Sequence, residues 1–138
     1  MIILDTNVLS ALMQATPDSR VIAWLDAQPP DSIWITSITV FESRFGIALL
    51  PPGKRRLALE ESLEQLLAVD LEGRILDFDY AAACEAAALA ARRQKSGTAV
   101  DMRDTQIAGI ALSRRAAVAT RNVDHFSDSG IQVLNPWI

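Results

Sequence analysis

Apolar and polar positions come in blocks along the chain, and the blocks read as strands and helices by turns. Met1, Ile2, Ile3 and Leu4 form an apolar run ended by Asp5, short enough to be a buried strand. Residues 8–13 read as a short helix. Pro17-Asp18 opens a second, whose Val21, Ile22, Trp24 and Leu25 give an apolar face, and Pro29-Pro30 ends it. Residues 33–35 predict a strand, 36–39 a turn, and 40–50 a helix broken by Pro51-Pro52-Gly53. Leu57, Leu59, Leu63, Leu66 and Leu67 fall near i, i+3, i+4 spacing, which predicts a long amphipathic helix. Residues 75–78 are a third strand candidate. Residues 80–95 form an alanine-rich helix stopped by Ser96-Gly97, and 101–114 another. Ala117-Val118-Ala119-Thr120 is a fourth strand ending in the polar turn Arg121-Asn122, and residues 131–134 are a last one.

This alternation implies an α/β fold, with a parallel sheet and helices on both faces. In such sheets ligands bind at the carboxyl ends of the strands. Strand ends at Asp5, Thr36 and Thr120 then point to one edge, and helix starts near Glu42 and Asp104 come to it. One crevice is expected to collect them.

Composition narrows the picture. A chain of 138 residues reads as one domain, residues 1–138, and 50% hydrophobic content excludes disorder. No apolar stretch approaches the ~20 residues of a membrane span. The N-terminus lacks a basic lead-in and carries Asp5 inside its apolar region, so no secretory signal is expected. The lone Cys84 allows no internal disulfide, which fits a reducing, cytoplasmic location. Set in an alanine-rich helix, Cys84 reads as a small core residue rather than a reactive thiol. The net charge of −4 counts against a nucleic-acid partner unless the acids gather around a cation. The basic groups Lys54-Arg55-Arg56, Arg92-Arg93 with Lys95, and Arg114-Arg115 read first as solvated helix faces.

Each acid has a plain structural reading. Asp5 suits a helix N-cap. Thr39 to Glu42 has the spacing of a capping box. Asp101 and Asp104 suit a helix start, where the dipole favours acids by roughly 0.3–1 kcal/mol each. Their convergence is what points to chemistry. Two carboxylates ~4 Å apart repel by roughly 4 kcal/mol at an effective dielectric near 20, and a cation offsets that cost. Oxygen ligands without a Cys/His cluster select Mg²⁺, with Mn²⁺ as a substitute. Such an ion lowers the pKa of a bound water, orients it and neutralises a phosphate oxygen. With no dedicated nucleophile in the sequence, the substrate indicated is a phosphate ester.

These residues resemble a known family. Ile3-Leu4-Asp5-Thr6-Asn7-Val8, Ile38-Thr39-Val40-Phe41-Glu42 running on to Gly46, Asp104-Thr105-Gln106-Ile107-Ala108, Val118-Ala119-Thr120-Arg121-Asn122 with Phe126, and Asn135-Pro136-Trp137 are similar, in order and spacing, to the PIN (PilT N-terminal) domain nucleases. Within them the likeness is to the VapC and FitB-like toxin ribonucleases of VapBC-type toxin–antitoxin systems, and it spans the chain. The resemblance implies a PIN domain, a three-layer α/β/α fold with a central, mostly parallel sheet. It also implies a Mg²⁺-dependent endoribonuclease that hydrolyses RNA phosphodiesters. Further implications are a homodimer, inhibition by a VapB/FitA-like antitoxin, and contact with operator DNA only through that antitoxin.

By the same resemblance, Asp5 and Asp104 are the main metal ligands, Glu42 is the third acid, and these three are the catalytic residues. Thr120 steadies the site and Asn7 orients the acids. Asn122 stands where some relatives carry a fourth acid, and His125 where others carry one, with Asp124 one residue early. A dominant single Mg²⁺ site is therefore expected. Arg121 near the acidic edge is expected to meet a substrate phosphate or an antitoxin carboxylate. Asp101 reads as an accessory or a helix cap, and His125 as a catalytic base or a solvated loop residue. Trp24, Trp34 and the leucine stretch 57–67 read as dimer surface or as core. A haloacid-dehalogenase-type phosphatase is opposed by Asn7 in place of its second Asp, and by the absence of a late Asp-Asp pair after a Lys. A receiver domain lacks its acidic pair and late-strand Lys. A catalytically impaired PIN-fold binding module is favoured by Asn122 and opposed by Asp5, Glu42 and Asp104.

Overall fold

Ile3 and Leu4 are adjacent and both buried, yet they join separate hydrophobic clusters. That is the period-two consequence of a strand covered on both faces. The computed structural model describes residues 1–138, ordered β1 (Ile2–Leu4), α1 (Thr6–Leu12), α2 (Ser19–Asp26), β2 (Ile33–Thr36), α3 (Ser37–Ala48), α4 (Lys54–Gln65), β3 (Ile75–Leu76), α5 (Tyr80–Lys95), α6 (Met102–Arg114), β4 (Ala117–Ala119) and β5 (Val133–Leu134). All strand pairs are parallel, in the order β3-β2-β1-β4-β5. One cluster joins Leu4, Ile33 and Ile35 to Val8 and Leu9 of α1, Val21 of α2, Ile47 of α3 and Leu63 of α4. The other joins Ile3 and Val118 to Ala82 and Leu89 of α5 and Ile107 and Ile110 of α6. The three-layer α/β/α expectation holds, with four helices on one face and two on the other.

The strand order fixes where the site lies. The chain runs from β1 outward to β2 and β3, then crosses to β4 and β5 on the other side. The order therefore reverses between β1 and β4, and the crevice outside their carboxyl ends is a switch point. Asp5 follows β1 and Thr120 follows β4.

Several boundaries differ from the sequence reading. The first helix starts at Thr6 rather than at residue 8, because Asp5 caps it. α3 starts at Ser37 rather than at residue 40, because the Thr36 hydroxyl accepts the Thr39 N–H at 3.1 Å. The leucine-rich helix runs on past Gln65 into a π-helical turn, Leu66–Asp70, closed by the Leu71 N–H on the Leu66 carbonyl at 2.8 Å, and it turns Leu67 and Leu71 into the core. β3 stops at Leu76, since the Phe78 N–H goes to Ser37 Oγ. β5 begins only at Val133, since Gly130 turns the chain at φ +82° and the Ile131 N–H is taken by Ser129 Oγ.

Two side-chain expectations are overturned on α5. Its buried stripe is Ala82, Ala86, Leu89 and Arg93. Cys84 is two residues from Ala82, off that stripe, and is exposed rather than core. Arg93 lies on the stripe, so it is no solvated charge: only 5% is exposed. It forks Asp128 at 2.7 and 2.9 Å and donates to Thr105 Oγ1 and the His125 carbonyl. No helix is long and apolar enough to cross a membrane.

Candidate active site

Asp5 occupies an extended residue between β1 and α1, at φ −68° and ψ 162°, so its side chain turns back over the helix start. It is buried, and both carboxylate oxygens are oriented. Oδ1 accepts the Thr6 N–H at 2.8 Å. Oδ2 accepts the Thr120 hydroxyl at 2.8 Å and the Asn7 amide at 3.3 Å. The capping role and the site role are thus carried by one carboxylate. Thr120 Oγ1 is saturated, donating to Asp5 and accepting from Asn7 Nδ2 at 3.1 Å and the Asn122 N–H at 3.0 Å. Asn7 Oδ1 accepts the Arg121 N–H at 3.2 Å and so ties the loop after β4 to α1.

Glu42 sits in the second turn of α3, so the capping-box reading fails: Thr36, not Thr39, caps the helix. Freed from capping, Glu42 Oε1 accepts the Thr6 hydroxyl at 2.8 Å. Thr6 has one hydroxyl proton and gives it to Glu42, so Thr39 donates to Thr6 at 3.1 Å, with Thr36 donating to Thr39 behind it at 3.4 Å. Arg103 approaches the other carboxylate oxygen at 3.5 Å. Asp104 stands in the first turn of α6, where the dipole favours an acid. Asp101 is the N-cap of that helix, its Oδ1 accepting the Asp104 N–H at 3.1 Å, which is the capping alternative. His125 Nδ1 lies 2.6 Å from Asp104 Oδ2, so His125 is a partner of the site rather than a merely solvated residue. Asp124 is exposed and lines a neighbouring hollow shared with Asp101, Asp104 and Asp128.

Asp5, Glu42 and Asp104 line one cleft of about 760 Å³ together with Asn7, Arg121 and Asn122. Burial pushes the Asp5 carboxyl above its ordinary value, and the Asp104 charge adds to this against the hydrogen bonds. Burial also raises Asp104, with the charges of Asp101 and Glu42 acting the same way and His125 opposing. The acids therefore sense one another's charge. They do not close into a preformed cage, since no three acidic, histidine or cysteine side chains cluster tightly enough to hold an ion by themselves. Mg²⁺ does not require such a cage: it keeps several waters and is held by one or two carboxylates plus substrate phosphate. The donor set, hard oxygens partly desolvated in an open cleft, fits that ion.

Sequence reasoning missed Thr6 and Thr39. Thr6 joins Asp5 to Glu42, its N–H on Asp5 Oδ1 and its hydroxyl on Glu42, with the Thr39 hydroxyl behind it. The readable signals were Thr6 inside the Asp5-Thr6-Asn7 run and Thr39 three residues before Glu42.

A sequence profile described as the PIN domain matches residues 2–130. The chain is 42% identical over 137 residues to VapC ribonuclease Y4jK of Sinorhizobium fredii, covering 99% of this chain and 98% of that protein. It is 39% identical over 137 residues to Toxin FitB of Neisseria gonorrhoeae, covering 99% of each. It superposes on a solved structure of FitAB bound to an IR36 DNA fragment with a TM-score of 0.90, at 38% identity, over 100% of this chain and 96% of that one.

Proposed function

The chain belongs to the PIN domain family, and from that premise we propose that it is the toxin of a VapBC-type toxin–antitoxin pair, acting as a Mg²⁺-dependent endoribonuclease. The observation that carries this reading is the cleft at the β1/β4 switch point, where Asp5 at the end of β1, Glu42 of α3 and Asp104 of α6 come together. Asp5 and Asp104 would hold the ion, and Glu42 would complete the acidic wall. Mg²⁺, or Mn²⁺ in its place, supplies Lewis acidity toward a phosphate oxygen and a bound water of lowered pKa.

The chain's own residues do the rest. Thr120 and Asn7 fix the Asp5 carboxylate, and His125 fixes one oxygen of Asp104. Glu42, turned into the cleft by the Thr6 hydroxyl, is placed to accept a proton from water or to orient it. Attack by water in line with the ribose 3′-oxygen, which leaves and takes up a proton, gives 5′-phosphate and 3′-hydroxyl ends, and 2′,3′-cyclic phosphates among the products would contradict the route. Asn122 offers an amide where a fourth acid would add charge, so one metal ion would dominate.

The reading extends to partners. The FitAB structure that this chain resembles is a complex bound to DNA. On that basis the chain is inhibited by a VapB/FitA-like antitoxin, through which alone it meets operator DNA. Residues 1–138 are read as one PIN domain, and the lone Cys84 fits a reducing cytoplasm. It acts as a homodimer. Trp24 and Trp34 are partly buried against the two cores, which fits the core reading. Phe41 and Phe45 on α3, Leu49 at its C-cap and Leu57 on α4 leave exposed apolar surface that a second copy would cover.

The test is cleavage of total bacterial RNA by antitoxin-free protein, with Mg²⁺ against EDTA. Discrete fragments in Mg²⁺, absent with Asp5→Asn and with Asp104→Asn, are the expected result. Fragments that persist in both variants would sink the assignment.

A further inference from the structure

The C-terminal Asn135-Pro136-Trp137 segment takes no part in the acidic wall, yet Trp137 lines the cleft. Its residue is 8% exposed and packs with the Leu4, Val8 and Leu9 cluster. Its N–H is capped by Asn135 Oδ1 at 3.0 Å, which fixes the backbone beneath the ring. The Arg121 guanidinium carbon sits 5.1 Å from the centre of that ring, within cation–π reach. Arg121 is the one basic residue lining the cleft; the other charged lining residues are Asp5, Asp18, Glu42 and Asp104. Asp18 is already forked by Arg20 at 2.8 and 3.2 Å. The guanidinium donors of Arg121 are left for a ligand, while its backbone N–H is held by Asn7.

Resting on the RNA-cleaving reading above, we infer that Arg121 binds a backbone phosphate of single-stranded RNA next to the one held at the acids, with Trp137 as its positioning residue. An anionic strand entering a cleft of four carboxylates needs a fixed cation beyond the metal. Arginine suits this better than lysine, because its planar fork matches two phosphate oxygens and its face stacks on an aromatic ring. Stacking also orders the side chain before the ligand arrives, which lowers the entropy lost on binding. Asn7 sets the register: its Nδ2 donates to Asp5 Oδ2 at 3.3 Å and its Oδ1 accepts from Arg121 N–H at 3.2 Å. RNA is favoured over an acidic peptide by the remaining lining. Ser10, Gln14, Thr16 and Asn122 offer hydrogen bonds to sugar and base edges, and only two of the 13 lining residues are apolar.

The test uses a fluorescein-labelled single-stranded RNA hexamer and equilibrium anisotropy over a KCl series with Mg²⁺. It is run in an Asp104→Asn background so that the RNA survives. Adding Arg121→Ala is expected to weaken binding about tenfold. It should also reduce the slope of log affinity against log salt by about 0.7, one phosphate's share for a single strand. Arg121→Lys should keep the slope and lose part of the affinity. Trp137→Leu should weaken binding only while Arg121 is present, whereas a merely structural tryptophan would cost the same in both backgrounds.

An unchanged affinity and slope for Arg121→Ala, with the wild type still cleaving RNA, would overturn the phosphate grip and leave the nuclease standing. Arg121-dependent binding of a hexaglutamate peptide in place of the RNA would reassign the residue to a protein partner. No RNA binding by the background and no cleavage by the wild type would overturn the nuclease reading itself.

Discussion

Asp5 and Asp104 are placed where carboxylates are uncomfortable without a cation. Both are raised above the ordinary 3.8, burial being the first cause in each. The folded state therefore binds their protons more tightly than the unfolded state does. The sign follows from linkage: their contribution to stability is present below the ordinary carboxylate value and is lost as pH rises through the raised folded values. In EDTA at neutral pH, Asp104→Asn should raise the melting temperature and flatten this part of the pH dependence, whereas Asp5→Asn, which sets an amide donor against Thr120 or Asn7, should gain less. Added Mg²⁺ should narrow the gap by stabilising the wild type alone. A lower melting temperature for both variants in EDTA would contradict this account. The Thr120 hydroxyl orients Asp5 and is itself saturated, so Thr120→Val should cost roughly 10–100-fold in Mg²⁺ affinity or cleavage. Titration calorimetry alongside the RNA assay would measure it. That Asp5, Glu42 and Asp104 meet in one cleft was legible in the sequence. The hydroxyl relay from Thr36 through Thr39 and Thr6 to Glu42 was not, because it joins residues that only the folded chain brings within reach.

At the level of elements, α5 and α6 show how composition becomes packing. The alanine-rich sequence of α5 lets α6 approach closely at Gly109. A Cβ added there would lie 2.6 Å from the Ala82 carbonyl oxygen and 2.6 Å from Ala86 Cβ. Backbone cannot retreat as a flexible side chain can, so Gly109→Ala should destabilise the fold by about 1–3 kcal/mol despite its better helix propensity. Urea denaturation would show it as a lower midpoint, and a neutral result would mean that the two helices can part. The close approach matters to the site, since α6 carries Asp104 and α5 carries Arg93. Arg93 was hidden from sequence reading inside a basic cluster. Its position four residues after Leu89 puts it on the buried stripe, where Asp128, Thr105 and the His125 carbonyl satisfy it. Helix periodicity placed the elements, but their ends were decided by single hydrogen bonds. Thr36 started α3 early and so moved Glu42 from a capping role to the cleft wall.

For the molecule as a whole, the proposed dimer is open to a direct measurement. Phe41 and Phe45 stack with centroids 6.0 Å apart, and they are 58% and 48% exposed. Light scattering after size exclusion should give twice the chain mass for the wild type. Phe45→Glu, which puts a charge into the contact without disturbing the core, should shift the population toward monomer. A wild type that stays monomeric at tens of micromolar would remove this surface from the assembly. The net charge of −4 belongs to this scale too. It told against a nucleic-acid partner only while the acids were counted as a sum, and the cleft shows several of them concentrated at one point with Arg121 beside them.

The sequence by itself determined the element order, the parallel α/β architecture and which three acids meet in one cleft. Those properties are set by local periodicity, by strand-ending polar residues and by a motif order that covers the chain. It did not determine whether Glu42 caps a helix or faces a cleft, whether Arg93 is solvated or buried, or whether Cys84 is core. Nor did it determine that Trp137 at the end of the chain lies beneath Arg121. Each of these depends on which side of an element faces a neighbour and on hydrogen bonds between distant residues. The physical reason is that a single side chain can satisfy either a local backbone group or a remote partner at similar free energy. Only the packed geometry, which decides what is within about 3 Å, settles the competition.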